Sequence, residues 1–360
     1  MLVRRGVDDD LTPLLRPALA TAELLLGHVS CLARHPVRAA RFAFDALRSA
    51  TTVARKLNEC QAQAVFLGAA AHAVLPLDQP GSAGFGLALL ALAHGYGWPI
   101  PRGGSQAIAD ALAERLRSLG GEIETGHAVR SLSQLPKSRV VLCDVTPRQL
   151  LGLVGDRLPP REQRRLRRWR YGPGVFKLDY ALDAPIPWLA PEVADAGTVH
   201  IGSAAEIVES ERAVWEARHP QRPFVLLAQQ SLFDDTRAPA GKHTAWAYCH
   251  VPHASAVDMT DAIEAQVERF APGFGELVLA RHAMGPAELE ARNRNLVGGD
   301  LNGGLMDLRQ VYTRPVARLV PYRTPRKGVY ICSAATPPGG GVHGMCGVAA
   351  AKVALRDTGC

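Results

Sequence analysis

The sequence predicts an α/β domain that is interrupted by a mostly antiparallel lobe. Three patterns indicate this: a helix, a glycine pair and a strand within residues 105–129; short alternating or apolar runs from Gly172 onward; and a strand, a glycine turn and a helix over residues 328–357. Helices that alternate with buried strands are typical of α/β packing, whereas short runs between turn residues are typical of antiparallel sheets. The chain therefore leaves its α/β domain near residue 157 and returns near residue 324.

The first α/β segment carries clear helix and strand signals. Ser105 is a good N-cap residue, and apolar side chains follow it at helical spacing as far as Leu119. The Gly120-Gly121 pair ends this helix, and residues 122–129 then alternate as a strand does. This segment therefore predicts a helix that leads directly into a strand.

A second strand and helix follow. The apolar run RVVLCDV predicts a buried strand over residues 139–144, and Thr146-Pro147 begins a helix that reaches Leu153. Residues 157–170 then contain seven arginines. We interpret this stretch as a solvated helix that links the two domains, with a lipid or nucleic-acid patch as the alternative.

The antiparallel lobe is predicted from four short runs: VFKLDYAL, TVHIG, FVLLAQQS and HTAWAYCHV. Clusters of Pro, Gly and Asp separate these runs, as turns separate the strands of an antiparallel sheet. A helix is predicted over residues 260–270, where the apolar positions return to helical spacing.

The N-terminal region, residues 11–75, has helical periodicity with regularly placed arginines (Arg34, Arg38, Arg41, Arg48 and Arg55). We interpret it as helix packed on its own domain; a basic amphipathic helix on a membrane surface is the alternative. The predicted domains are a helical region of the lobe (1–97), a discontinuous α/β domain (98–157 and 324–360) and the antiparallel domain (158–323).

Composition excludes several classes of protein. The 360 residues are 47% hydrophobic and 21% charged, as in soluble globular proteins. The net charge of +7 comes with 35 Arg against 6 Lys, which is typical of GC-rich coding sequences, and no nucleic-acid-binding motif accompanies it. Seven scattered cysteines without a CxxC pair favour a reducing cytoplasm. No signal peptide or membrane span is predicted.

A Gly-x-Gly-x-x-Gly pattern stands near the end of the chain, at Gly339, Gly341 and Gly344, between a predicted strand and a predicted helix. That order suits a dinucleotide pyrophosphate. However, 360 − 344 leaves 16 residues after the last glycine, and a Rossmann unit needs a further strand and an acidic residue ~20 positions on. The pattern is therefore not read as a Rossmann fingerprint.

Three motifs resemble those of the phytoene-desaturase-like flavoprotein oxidoreductases, relatives of the flavin amine oxidases. They are GWPIPRGGSQAIADALAERLRSLGGEIETGHAV, YGPGVFKLDYALDAPIPW and GVYICSAATPPGGGVHGMCG, and the resemblance runs from about residue 60 to the end. It implies an FAD/NAD(P)-binding, glutathione-reductase-like fold in which a discontinuous FAD domain carries an antiparallel substrate domain.

The resemblance also implies cofactor contacts. The glycine turn, Gly339, Gly340, Gly341 and Gly344, corresponds to the family's second FAD contact, where the backbone approaches the flavin ring closely. The N–H groups of Val342 to Met345 and the dipole of the following helix are expected to face the flavin. Val129 corresponds to a residue whose backbone contacts the adenine of FAD. His343, inside the turn, is the candidate catalytic proton donor.

One part of the family pattern has no counterpart in this sequence. Relatives begin with a βαβ unit that carries GxGxxG and an acidic residue for the ribose, and no such unit is found here. We therefore expect an N-terminally truncated form of the fold that binds FAD weakly when it is alone.

The resemblance implies FAD-dependent oxidation or desaturation of an apolar substrate of isoprenoid or lipid type. Such a substrate would occupy an elongated hydrophobic cavity that opens near Val342 and His343. The alternative is a non-catalytic remnant that binds an apolar ligand or a partner. The sequence leaves the electron acceptor and the oligomeric state open.

No metal site is predicted. His250 and His253 are close in sequence, but Pro252 between them disfavours a shared geometry, and no carboxylate follows nearby.

Overall fold

The computed structural model describes residues 36–359 of the chain. It contains a two-stranded parallel sheet, in the order β1-β7, and a five-stranded antiparallel sheet, in the order β3-β4-β5-β2-β6. The strands are β1 (Val141–Cys143), β2 (Gly174–Leu182), β3 (Val199–Ile201), β4 (Val225–Ala228), β5 (His243–Val251), β6 (Val278–Met284) and β7 (Val329–Ile331).

Residues 36–359 also form α-helices. They are α1 (Pro36–Ala46), α2 (Ala50–Ala54), α3 (Cys60–Ala70), α4 (Ala83–Tyr96), α5 (Gln106–Ser118), α6 (Pro147–Val154), α7 (Pro160–Arg167), α8 (Ala204–Trp215), α9 (Thr260–Phe270), α10 (Pro286–Arg292), α11 (Leu308–Val311) and α12 (Met345–Thr358).

The parallel pair joins two segments that are far apart in sequence. Val141 lies opposite Val329, and Cys143 lies opposite Ile331. The prediction that residues 328–332 lie beside the strand at 139–144 is therefore confirmed. Leu150 of α6 is buried in one cluster with Cys143 and Ile331, so α6 covers one side of this pair.

The antiparallel lobe is covered on both faces. Side chains alternate along β2, so that Leu178 and its neighbours on one face pack against Ile263 and Val267 of α9. On the opposite side, Leu226 of β4 is buried in one cluster with Phe66 of α3. The strands predicted from the four short runs and the helix at 260–270 are present, whereas β6 was not predicted.

The predicted strand over residues 122–129 does not form. This segment follows α5 as irregular chain, and Ile123 is exposed. A strand needs a hydrogen-bonded neighbour, and within residues 36–359 the parallel sheet contains β1 and β7 alone. Alternation in the sequence therefore did not predict a sheet strand here.

The helical reading of the N-terminal region is confirmed for α1, α2 and α3. The rest of that prediction, residues 11–35 with Arg34, lies outside the described residues. The arginine-rich stretch forms α7, whose Glu162 is buried and receives a 2.7 Å hydrogen bond from Arg318. None of the described helices is both long enough and apolar enough to cross a membrane.

Candidate cofactor site

The glycine turn connects β7 to α12, and its backbone demands glycine. Gly339, Gly341 and Gly344 have φ of +115°, +141° and +62°, a region that side-chain-bearing residues seldom adopt. Gly340 lies so close to Asn302 that an added Cβ would stand 3.2 Å from its Cα. The turn therefore requires glycine at Gly339, Gly341 and Gly344, and it leaves little room for a side chain at Gly340.

The turn exposes a row of backbone donors. Within the described residues, the N–H groups of residues 340–343 make no hydrogen bond, whereas the Gly344 N–H closes a turn on the Gly341 carbonyl oxygen. The Met345 N–H differs from expectation, because it donates to Nδ1 of His343 at 3.0 Å and is not free. The donors available to a ligand therefore come from the turn itself, just before the first residue of α12.

The side chain of His343 forms a hydrogen bond to the backbone at the start of α12. Because its Nδ1 accepts the Met345 N–H, the neutral ring carries its proton on Nε2. The ring is half-buried against Gly341, where an added Cβ would meet Cδ2 at 2.9 Å. Val342, the preceding residue, is 92% exposed. His343 therefore stabilises the start of α12 and leaves one ring N–H to donate.

A buried arginine that sequence reasoning missed lies beneath the turn. Arg314 is 2% exposed, and its Nη2 donates to the carbonyl oxygens of Ala334 at 2.9 Å and Asn302 at 3.3 Å. Its Nη1 would contact a Cβ at Gly339 at 3.3 Å. Burial lowers the pKa of Arg314 to about 10, and nearby Asp300 acts in the opposite direction.

The charge of Arg314 has no hydrogen-bonded carboxylate. Asp300 is buried close by, but its oxygens accept the N–H groups of Gly172 and Asn302, each at 2.8 Å. The Nε of Arg314 is buried without a partner in the described residues. In the sequence, Arg314 is one of many arginines and stands before the last strand without a motif around it. Sequence reasoning therefore had no signal that would single it out.

Cys346 ties the two ends of the turn together. Its Sγ lies 3.5 Å from the Thr336 carbonyl oxygen and 3.4 Å from that of Gly339, inside the protein. At the start of the turn, the Ser333 hydroxyl donates to the carbonyl oxygen of Val145 at 2.8 Å. The turn is therefore anchored both to α12 and to the residues that follow β1.

Val129 lies in a different cleft. This cleft has a volume of about 980 Å³ and lies between the residues around Val129, α6 and α10. None of the described residues 336–345 lines this cleft. Val145 lines the cleft, and its carbonyl oxygen accepts a hydrogen bond from the Ser333 hydroxyl at the start of the glycine turn. Val145 therefore connects the cleft to the turn.

The two histidines considered as metal ligands have other partners. His250 Nδ1 pairs with buried Glu211 at 2.8 Å, and His253 Nδ1 bonds the Gly172 carbonyl oxygen at 2.8 Å. Between residues 36 and 359, no three His, Cys, Asp or Glu side chains are grouped so that they could hold a metal ion.

Two curated proteins are similar to this chain. Both are named pyridine nucleotide-disulfide oxidoreductase domain-containing protein 2, from Rattus norvegicus and Mus musculus. Each is 29% identical over 300 residues, which cover 72% of this chain and 51% of the relative. The chain thus spans about half the length of these relatives. No protein-family model matches it.

Solved structures of oxidoreductases share the fold. An oxidoreductase from Methanosarcina mazei has a TM-score of 0.57 at 15% identity, with 85% of this chain and 67% of that chain covered. Putrescine oxidase bound to putrescine has a TM-score of 0.55 at 14% identity, with 100% and 77% covered. At these identities the likeness shows the fold alone: an α/β layer with a parallel sheet, combined with an antiparallel sheet.

Proposed function

We propose that this chain belongs to an FAD-dependent oxidoreductase and supplies the flavin-facing turn and the substrate domain. The observation that carries this proposal is the glycine turn between β7 and α12, with four successive N–H groups, those of residues 340–343, free of partners within the described residues. A strand, a turn with free donors and a helix N-terminus form an arrangement suited to a flat ring that gains negative charge. The shared fold with oxidoreductases agrees with this reading.

The residues of the turn fit the pyrimidine end of a flavin. Gly340 and Gly341 carry no side chain that would hold a ring away from the backbone, and the N–H groups around Val342 can donate to its carbonyl oxygens. Arg314 places a positive charge beneath the same turn. Bound FAD would supply the hydride acceptor of the reaction.

His343 is the proposed proton donor. Its Nδ1 is fixed by the Met345 N–H, so the ring is oriented and its Nε2–H is free to donate. In this role the residue would hold a proton at Nε2 next to the turn.

An apolar substrate, of isoprenoid or lipid type, is part of the proposal. Val342 offers an exposed apolar side chain at the turn, beside the row of free N–H groups. A substrate without charge needs few polar side chains, because the protein's task is to orient it and exclude water.

A second candidate function is a non-catalytic binding protein. Helix α5 favours it, because none of its residues is buried and Leu112 and Leu116 stand exposed on one stripe. Exposed apolar stripes of this kind are typical of surfaces that are covered by another polypeptide. In that case the glycine turn would be a structural loop.

Absorption spectroscopy of the purified chain tests the proposal. We expect weak or no FAD binding by residues 1–360, because the pyrophosphate-binding βαβ unit of the family is not in this sequence. Fusing such a unit to the N-terminus should give a yellow protein with a flavin spectrum. A colourless fusion would reject the flavoprotein assignment, and stoichiometric FAD on the chain alone would show that residues 1–360 hold the cofactor without such a unit.

A further inference from the structure

Helix α7 carries part of the arginine-rich stretch, and its two sides differ in burial. On one side Glu162 is buried, where it accepts a hydrogen bond at 2.7 Å from Arg318, in the segment between α11 and β7. On the other side Arg161, Arg164 and Arg168 are exposed. Because 3.6 residues make one helical turn, these three arginines lie within about 60° of one another around the helix axis. The helix therefore presents three guanidinium groups to solvent as one stripe.

The charges of this arginine stripe have no partner within residues 36–359. Arg165 pairs with Glu162, and Arg167 donates to Oε1 of Gln163 at 3.2 Å, whereas the side chains of the stripe make neither an ion pair nor a hydrogen bond. Arg164 and Arg168 are four residues apart, a spacing at which like charges destabilise a helix. An anionic surface that faced the stripe would remove this repulsion.

Two large apolar side chains stand exposed beside α7. Leu319 is 100% exposed and directly follows the arginine that bonds Glu162 of α7. Tyr312 is 71% exposed and directly follows α11. Asp307, at the start of α11, pairs at 2.7 Å with Arg170, just beyond the end of α7. These contacts join the arginine stripe and the two apolar side chains into one surface.

A lipid bilayer with anionic headgroups matches this combination of charge and exposed apolar groups. Basic side chains are attracted by the negative potential of such a bilayer, while leucine and tyrosine side chains enter its interface. A nucleic acid attracts the same charges, but its phosphate backbone offers no apolar medium for Leu319. The exposed leucine therefore favours the bilayer.

We propose that α7, together with Leu319 and Tyr312, docks this protein on an anionic lipid surface. Arg161, Arg164 and Arg168 lie over the phosphate and carboxylate groups of the headgroups, and the two apolar side chains enter the interface. This docking goes beyond the proposed function and involves no cofactor, so its test is independent of FAD binding.

Co-sedimentation of the purified chain with lipid vesicles tests the docking surface. The chain should sediment with vesicles of equimolar phosphatidylcholine and phosphatidylserine and should stay in solution with phosphatidylcholine alone. The triple substitution Arg161→Gln, Arg164→Gln and Arg168→Gln should raise the lipid concentration for half-maximal binding by about fivefold for each arginine removed.

The matched control is the triple substitution Arg115→Gln, Arg117→Gln and Arg292→Gln. It removes the same charge from exposed positions on α5 and α10, so the lipid concentration for half-maximal binding should stay nearly unchanged. Leu319→Asn tests the apolar contact and should weaken binding most clearly at high salt, where the attraction of the arginines is screened. Its fully exposed position keeps the test valid even if the stripe variant fails to fold.

Four results would overturn the inference. The first is a parent chain that does not sediment with the anionic vesicles, and the second is an equal loss in the two triple variants, which would assign binding to the net charge of +7. The third is unchanged binding of Leu319→Asn at high salt. The fourth is tighter binding of the chain to a single-stranded oligonucleotide than to the vesicles, which would assign the stripe to nucleic acid.

Discussion

The antiparallel lobe and the α/β region of this molecule differ in how completely their elements are covered. The five-stranded sheet of the lobe has helices on both faces, and Leu178 on its interior strand β2 is fully buried. In the α/β region the sheet has two strands in the described residues, Leu142 of β1 is 42% exposed, and α5 buries no residue. Parallel sheets are normally buried on both faces, so this region departs from the usual arrangement.

Both candidate ligand sites lie at strand ends of the less covered region, next to the ends of β7 and β1, and α10 of the antiparallel domain forms the other side of the Val129 cleft. Within residues 36–359, the turn contains N–H groups without a partner, and two arginines of the cleft, Arg130 and Arg294, have unpaired side chains. The lobe contributes buried apolar area, which is the main source of folding free energy. The lobe thus contributes most of the folding free energy, whereas ligand recognition takes place chiefly at the strand ends of the α/β region.

Matched leucine truncations test this comparison most directly. Leu178→Ala should lower the free energy of unfolding by about 2–5 kcal/mol, because it opens a cavity in a packed core. Leu112→Ala on α5, where the side chain is 68% exposed, should change it by less than about 0.5 kcal/mol. Urea unfolding followed by circular dichroism measures both values. A large loss from Leu112→Ala would mean that α5 is covered in solution, and the contrast between the regions would fail.

The buried arginine beneath the glycine turn gives the next largest effect. Arg314→Met should lower the free energy of unfolding by about 2 kcal/mol, since the carbonyl groups of Ala334 and Asn302 lose their donor. Arg309→Met is the control, because Arg309 is exposed on α11 and should tolerate the change.

The opposite outcome for Arg314 is physically possible and informative. Replacing a buried charge by an apolar side chain can stabilise a protein when the cost of desolvating the charge exceeds its interactions. An Arg314→Met variant at least as stable as the parent would show that the turn does not depend on this residue. The guanidinium of Arg314 would then lower the stability of the protein, and its presence beneath the glycine turn would indicate a role in ligand binding.

Much of the fold could be predicted from the sequence, because it follows from local patterns. The alternation in β2 and the apolar runs of β1 and β7 reflect which side chains must be buried. The strand predicted at 122–129 failed because pairing depends on a neighbour that periodicity cannot reveal. Similarly, β6 carries mostly exposed side chains, so its pairing with β2 left no hydrophobic signal.

The candidate sites were predictable only in part. Positive φ at Gly339 and Gly341 was expected from the glycine pattern, since such turns require residues without Cβ. The contact of Arg314 with the turn was not, because it joins positions 25 residues apart (339 − 314) through space. The convergence of Arg130 and Arg294 on one cleft is likewise a product of tertiary structure.

Acid should destabilise the lobe through a half-buried pair of histidines. His72 Nε2 lies 3.1 Å from His200 Nε2. Burial, followed by the neighbouring His200, lowers the pKa of His72 from 6.5 to about 3, and burial lowers that of His200 to about 4. The unfolded chain then binds more protons below about pH 6.5, so stability is full above that pH and falls as the pH drops towards the folded values.

The expected loss is roughly 1 kcal/mol for each imidazole between about pH 7 and pH 5.5. His72→Gln, which keeps a polar partner for His200, should reduce the acid-induced fall in Tm. His282→Gln, at an exposed position on β6, is the control and should leave the fall unchanged. Identical pH profiles for the parent and His72→Gln would show that this pair does not govern acid stability.

The smallest expected effect concerns the turn itself and separates two roles of His343. His343→Ala removes the acceptor of the Met345 N–H and should cost about 0.5–1 kcal/mol of stability, as the loss of a helix cap does. His343→Asn should keep most of that stability, because an asparagine side chain can accept an N–H two residues further on. Urea unfolding measures both. If the Asn variant of the fused flavoprotein is stable but oxidises its substrate more slowly than the parent, His343 acts as the proton donor; an unchanged rate would leave it with the capping role alone.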